Sequence, residues 1–164
     1  DMCKTANVFF NTRGRWSEDQ DFWRFSGIFR DVELQMVPHV HLKDIKILTH
    51  LNENYDHATV EVKPTIENNH HHFKAVYTLK YKDEVIGQKE SKDCLSPINF
   101  ELDDPHLWSA EKPNLYQLYV EIMDENGLVE CSQHNVGVRE FKLIDGIMCI
   151  NGKRIVFHGI RFLD

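Results

Sequence analysis

The sequence predicts an all-β protein built as an antiparallel sandwich, on three observations. Apolar residues recur with period 2, turn-forming residues punctuate them at short intervals, and almost nothing carries a helical period. The clearest strand is Phe73, Ala75, Tyr77, Leu79 and Tyr81, alternating with Lys74, Val76, Thr78, Lys80 and Lys82. Adjacent side chains on a strand point to opposite faces, so this spacing predicts one packed face and one wet one. The same alternation marks Ala58, Val60 and Val62, then Ile98, Phe100 and Leu102, then Tyr116, Leu118, Val120 and Ile122, with β-branched and aromatic types well represented. Asn68-Asn69, Asp83-Glu84, Glu125-Asn126-Gly127 and Asn151-Gly152-Lys153 supply the residues that tolerate positive φ in tight hairpins.

Three pieces separate along the chain. Residues 1–38 end in a predicted strand, Val32, Leu34 and Met36, stopped by Pro38, and are too short to enclose a core. Residues 39–142 hold about seven strand candidates, enough for an immunoglobulin-like sandwich, and the flanking pieces add extra strand segments to it. Residues 143–164 form an apolar hairpin around Asn151-Gly152 whose edges call for a partner.

Composition narrows the function classes. A chain of 164 residues is about one domain and is short for a barrel enzyme. A net charge of -7 with no Lys/Arg-rich run excludes a nucleic-acid backbone as partner, because that affinity rests on basic neutralisation. No apolar stretch reaches the length needed to cross a bilayer, and Asp1-Met2-Cys3-Lys4 does not open an export signal. Cys3, Cys94, Cys131 and Cys149 show no metal-ligand spacing and no spacing that selects a disulfide. They read as free thiols in a reducing compartment, and a cytoplasmic location is expected.

Few residues advertise chemistry. His70-His71-His72 could attract a transition metal, but successive strand side chains diverge and no acid or thiol stands nearby, so a loop tip is the better reading. No G-x-S-x-G elbow or glycine-rich phosphate loop is present. Glu53, Asp103, Asp104, Asp124 and Glu125 all flank turns and read as solvated connections. Between Pro105 and Pro113, Trp108 is expected to close one end of the core rather than stack on a sugar, and Tyr116 to bond backbone in the manner of a tyrosine corner. The loop Glu18-Asp19-Gln20-Asp21 gathers carboxylate and amide oxygens of the kind a hard cation prefers, although a wet loop before a strand would look similar.

Three motifs in order, "RWSEDQDFWRFSGIFRDVEL", "LWSAEKPNLYQLYVEI" and "NVGVREFKLIDGIMCINGKRIVFHGI", closely resemble the segment of glycoside hydrolase family 2 β-galactosidases that joins a sugar-binding jelly roll to a catalytic barrel. The resemblance runs from about Arg15 to Ile160. It implies that residues 1–38 are the C-terminal part of the jelly roll, 39–142 the first immunoglobulin-like domain, and 143–164 the hairpin leading into the barrel. In that family an aspartate of the acidic loop binds sodium and contacts the galactosyl ring. The matching position is Asp21, which the resemblance makes both a substrate-binding and a metal-binding residue. Trp23 and Arg24 would support this loop, Ser26-Gly27 would turn it, and Arg30 with Asp31 would lead to the domain boundary.

Family members hydrolyse β-galactosides with retention, using two glutamates about 5 Å apart on the barrel. Both lie beyond this chain, so no catalytic residue is expected in it. Sodium and magnesium belong to the parent enzyme, and no cofactor is expected for the isolated chain. The implied partners are the remaining jelly-roll and barrel domains, a β-galactoside only in the intact enzyme, no nucleic acid and no membrane, with the parent a homo-oligomer. Two departures stand out: His158 takes an arginine position, with Arg161-Phe162-Leu163-Asp164 where an Asn-Arg-His-Glu run would follow, and "TRGRWSED" is shorter than the usual connection. The expected function is thus a non-catalytic spacer fragment of a β-galactosidase. The alternative is a free-standing immunoglobulin-like module that binds a carbohydrate or partner.

Overall fold

The computed structural model describes residues 31, 32, 34, 36–68 and 72–157. Its described strands are β1 (Val40–Leu51), β2 (His57–Asn68), β3 (Lys74–Tyr81), β4 (Glu84–Ser91), β5 (Ile98–Asp103), β6 (Tyr116–Asp124) and β7 (Gly127–Val136), followed by the short β8 (Phe141–Ile144), β9 (Ile147–Ile150) and β10 (Lys153–Arg154). All pairings are antiparallel. One sheet runs β1-β2-β5, the facing sheet β4-β3-β6-β7, and a small third sheet β10-β9-β8. Three strands packed on four in this order make an immunoglobulin-like sandwich, with β8–β10 as the extra flanking segment. Residues Val37–Phe157 form one compact unit.

The alternating residues of β2, β5 and β6 meet between the two sheets. Val60, Val62, Tyr77, Leu79, Leu118 and Ile122 are fully buried there, and burying each of the five aliphatic side chains among them contributes roughly 1.5–3 kcal/mol. Pro64 also lies buried inside β2. Pairing of β2 with β5 stops at Val62 opposite Ile98, and the amide of Ile66, on the same side as position 64, turns to the Cys94 carbonyl at 3.1 Å. The N–H that proline lacks therefore falls where no ladder bond is needed.

Three expectations need correction. Val32, Leu34 and Met36 lie in no strand; they are 79%, 93% and 93% exposed, and the first described strand starts after Pro38. Alternation specifies faces, but a strand also requires a paired neighbour. Second, β3 is buried on both faces. Val76 and Thr78 are covered because β3 is central: Gln88 donates to Thr78 Oγ1 at 3.1 Å, and the Lys74–Glu90 pair at 2.7 Å spans the same outer surface. Third, the β3–β4 turn is Lys82-Asp83, with Lys82 at φ 54 and Glu84 already in β4.

The other turns follow the sequence chemistry. Gly127 takes φ 124 after Asp124 Oδ1 accepts the Asn126 amide at 2.7 Å. Asn151-Gly152 joins β9 to β10 with φ 49 and 73, and a second pair, Asp145-Gly146 at φ 51 and 77, joins β8 to β9. Positive φ at both central residues is the type I′ pattern whose twist suits two-residue hairpins. The single expected hairpin is therefore a three-strand meander.

Candidate functional site

Asp21, the acidic loop around it and Trp23, Arg24, Ser26, Gly27 and Arg30 lie outside the described residues, as do His70 and His71. Asp31 and His72 are exposed. Among the described residues no three His, Cys, Asp or Glu side chains come together to hold a metal, and Cys94, Cys131 and Cys149 are free thiols. No described helix is long and apolar enough to cross a membrane.

The carboxylates show what chemistry the described surface supports. Lys63 and then His50 hold Glu61 below the usual carboxylate range, and Lys43 does the same for Glu67 at 2.8 Å. Asp103 meets His57 Nδ1 at 2.8 Å on the surface, and Asp124 caps its own turn. A glycosidic proton donor needs a carboxyl held above its usual range, the opposite direction.

Trp108 shapes an open groove of about 490 Å³, lined also by Ile47, Thr49, Leu115, Arg139 and Phe141. Its ring is not free to receive a sugar. The Arg139 guanidinium lies 4.4 Å from the ring centroid, and Gly137 packs so closely that an added Cβ would sit 3.1 Å from Cγ and Cδ1. Half-buried Trp108 thus packs against the residues that follow β7, whereas its neighbour Leu107 is the one that packs on the core cluster, so the expected core-closing role falls to the adjacent position.

These residues build the most elaborate polar cluster described, a junction between sandwich and meander. Val138 is fully buried, and its carbonyl accepts the Trp108 amide at 2.9 Å. The Arg139 carbonyl accepts Thr49 Oγ1 at 3.0 Å. Glu140 Oε2 accepts both Lys142 Nζ at 2.8 Å and the Tyr55 hydroxyl at 3.0 Å. Lys142 first, and Tyr55 after it, hold the Glu140 carboxyl below its usual range, while burial and then Glu140 push the Tyr55 phenol up. Asn151 donates its amide to the Glu140 carbonyl at 2.9 Å, accepts the Glu140 amide on Oδ1 at 2.9 Å, and donates Nδ2 to the Trp108 carbonyl at 3.0 Å.

Sequence spacing did not single out Tyr55 or Glu140. Asn151 was visible only as a turn residue. The arrangement fixes geometry and holds no poised nucleophile or acid.

A family model described as "Glycosyl hydrolases family 2" matches residues 34–139. A beta-galactosidase of Halalkalibacterium halodurans is 38% identical over 160 residues, 94% of this chain and 16% of that protein. One from Lactobacillus delbrueckii subsp. bulgaricus is 42% identical over 149 residues, 88% of this chain and 15% of that protein. The chain therefore spans about a sixth of the length of these relatives. Among solved structures, a beta-glucuronidase of Parabacteroides merdae superposes with a TM-score of 0.67 at 20% identity, covering 74% of this chain and 16% of that one. A beta-glucuronidase from Ruminococcus gnavus superposes with a TM-score of 0.62 at 20% identity, covering 74% and 20%. At that identity the structural likeness speaks for the fold alone.

Proposed function

The chain belongs to glycosyl hydrolases family 2, and on that premise we propose that it is a non-catalytic structural spacer of a retaining β-galactosidase. In this reading residues 39–142 separate a jelly roll, whose last part is 1–38, from a catalytic barrel entered through 143–164. The observation that carries it is the exposed apolar surface of the meander, where Phe141 and Leu143 are 53% and 65% exposed with Ile144, Ile147 and Met148 exposed beside them, continued past β10 by exposed Val156 and Phe157. Apolar surface gathered on one small sheet is expected to be covered by a neighbour, and a following domain of the same enzyme is the neighbour this reading supplies.

The name shared by the two relatives favours a β-galactoside as the parent's substrate. Asp21 would contact that sugar and sodium only within the intact enzyme, a cytoplasmic homo-oligomer that also uses magnesium. The test is hydrolysis of a nitrophenyl β-galactoside by the 164-residue chain beside an intact β-galactosidase. The chain is expected to give no saturable turnover, and appreciable saturable turnover overturns the spacer role. Titration with galactoside and sodium separates the spacer from a free-standing binding module, which would bind one of them strongly.

A further inference from the structure

A single covalent crossing, from Glu140 into Phe141, connects the sandwich to the meander. One such crossing leaves the backbone torsions on either side free to swing, and a flexible spacer would need nothing more. Here the chain returns to the crossing point: Asn151, on the far β9–β10 turn, bonds both backbone groups of Glu140 and also the carbonyl of Trp108, which belongs to the β5–β6 connection. A third segment, the β1–β2 loop, contributes Tyr55. Its hydroxyl bonds Glu140, and its ring packs so close to Gly152 that an added Cβ there would lie 3.1 Å from Cε2.

We infer that Asn151, Glu140 and Tyr55 form a latch that locks the β8–β10 meander in one orientation on the sandwich, making these three positioning residues for whatever follows the meander. Contacts that reach the meander and its crossing point from the Trp108 connection and the β1–β2 loop oppose the rotations a single connection permits. Asn151 suits the place in two ways. Its φ of 49 is one that asparagine tolerates, and its short amide donates and accepts at once. The latch's value as an inter-domain joint rests on the spacer reading, whereas its stiffness does not.

The experiment is residual dipolar couplings of backbone amides in the whole 164-residue chain, comparing wild type with Asn151→Gly and Tyr55→Phe. Glycine keeps the turn and the residue-151 N–H bond to the Glu140 carbonyl, but removes the side-chain amide that accepts from the Glu140 N–H and donates to the Trp108 carbonyl. In wild type, couplings from β8–β10 are expected to fit the same alignment tensor as those from β3 and β6. In Asn151→Gly the meander couplings are expected to shrink by roughly a third, as rigid backbone becomes flexible, while the sandwich couplings stay put. Tyr55→Phe, which deletes one hydroxyl and keeps the ring, is expected to show a smaller loss of the same kind and serves should the glycine variant not fold. A meander that needs its own tensor in wild type, or couplings unchanged in the variants, overturns the latch. Galactoside turnover by the chain would overturn the spacer reading and leave these couplings as they are.

Discussion

The backbone amide of His106 donates to the hydroxyl of Tyr116 at 2.8 Å, ten positions apart and across the start of β6. The connection that carries His106 is thereby tied to the strand beneath it, and the His106 ring stacks on Tyr81 at 4.0 Å between centroids. Tyr116 is buried and the bond is partly so, which limits how well solvent can replace the hydroxyl if it goes. Tyr116→Phe keeps the ring in the core and leaves that donor without its acceptor. A loss of about 1–2 kcal/mol is expected, read as a lower urea midpoint with unchanged slope.

Gly137 sits where the Trp108 ring leaves no space. An alanine Cβ would lie 3.1 Å from two ring atoms and 3.3 Å from Trp108 Cβ, while Arg139 covers the ring and Val138 holds the Trp108 backbone. The indole cannot yield without breaking one of these contacts. Gly137→Ala is therefore expected to destabilise by about 1–3 kcal/mol. The same substitution at Gly87, 3.1 Å from the ring of buried Phe100, over which Lys89 also lies, gives a comparison in the same thermal-melt series.

Local features were the legible ones. Ile98, Phe100 and Leu102 alternate cleanly and do face the core, and the Asn151-Gly152 dipeptide does make its turn, because both depend on neighbours in sequence. Tyr116 could be assigned its hydrogen bond because the acceptor sits just past a proline-restricted connection that contains the donor. The second buried face of β3 was hidden, since Gln88 reaches Thr78 from another strand and no period in β3 records it. Tyr55 and Glu140 lie 85 positions apart and carry no mutual spacing signal, so only the folded chain reveals the junction.

The Tyr77 hydroxyl is buried with no hydrogen-bond partner among the described residues, on a residue that is 0% exposed. Burial pushes its pKa up to about 12, with Cys94 adding in the same direction. The fold therefore favours the neutral phenol. Stability from this group is complete below the ordinary tyrosine value of about 10 and is lost as pH rises through the folded value. Tyr77→Phe removes both the stranded hydroxyl and this titration. A gain of about 1 kcal/mol is expected near neutrality. The variant should also lose less stability than wild type between about pH 9 and 11, checked by urea melts across that range.

Glu140 makes the opposite prediction at the acid end. Its carboxyl is held below the usual range by Lys142 first and Tyr55 second, with Glu53 also acting on Lys142 from the β1–β2 side. A depressed carboxyl contributes stability that is complete above the ordinary glutamate value of about 4.3 and is lost as pH falls through the lower folded value. Glu140→Gln keeps an acceptor for the Tyr55 hydroxyl and removes the charge that draws Lys142. The variant is expected to be less stable than wild type at neutral pH. The gap should narrow as pH falls below the ordinary glutamate value of about 4.3 and close once pH is below the lower folded value, where wild-type Glu140 is neutral as well. Glu61, Glu67 and Asp93 are depressed too and weaken both proteins alike in acid, so the difference between the two curves isolates Glu140. High salt should shrink the gap at neutral pH, because the Lys142–Glu140 pair is partly open to solvent. A gap that stayed constant with both pH and salt would mean that the side chain acts through its shape and hydrogen bonds, and that its charge contributes nothing.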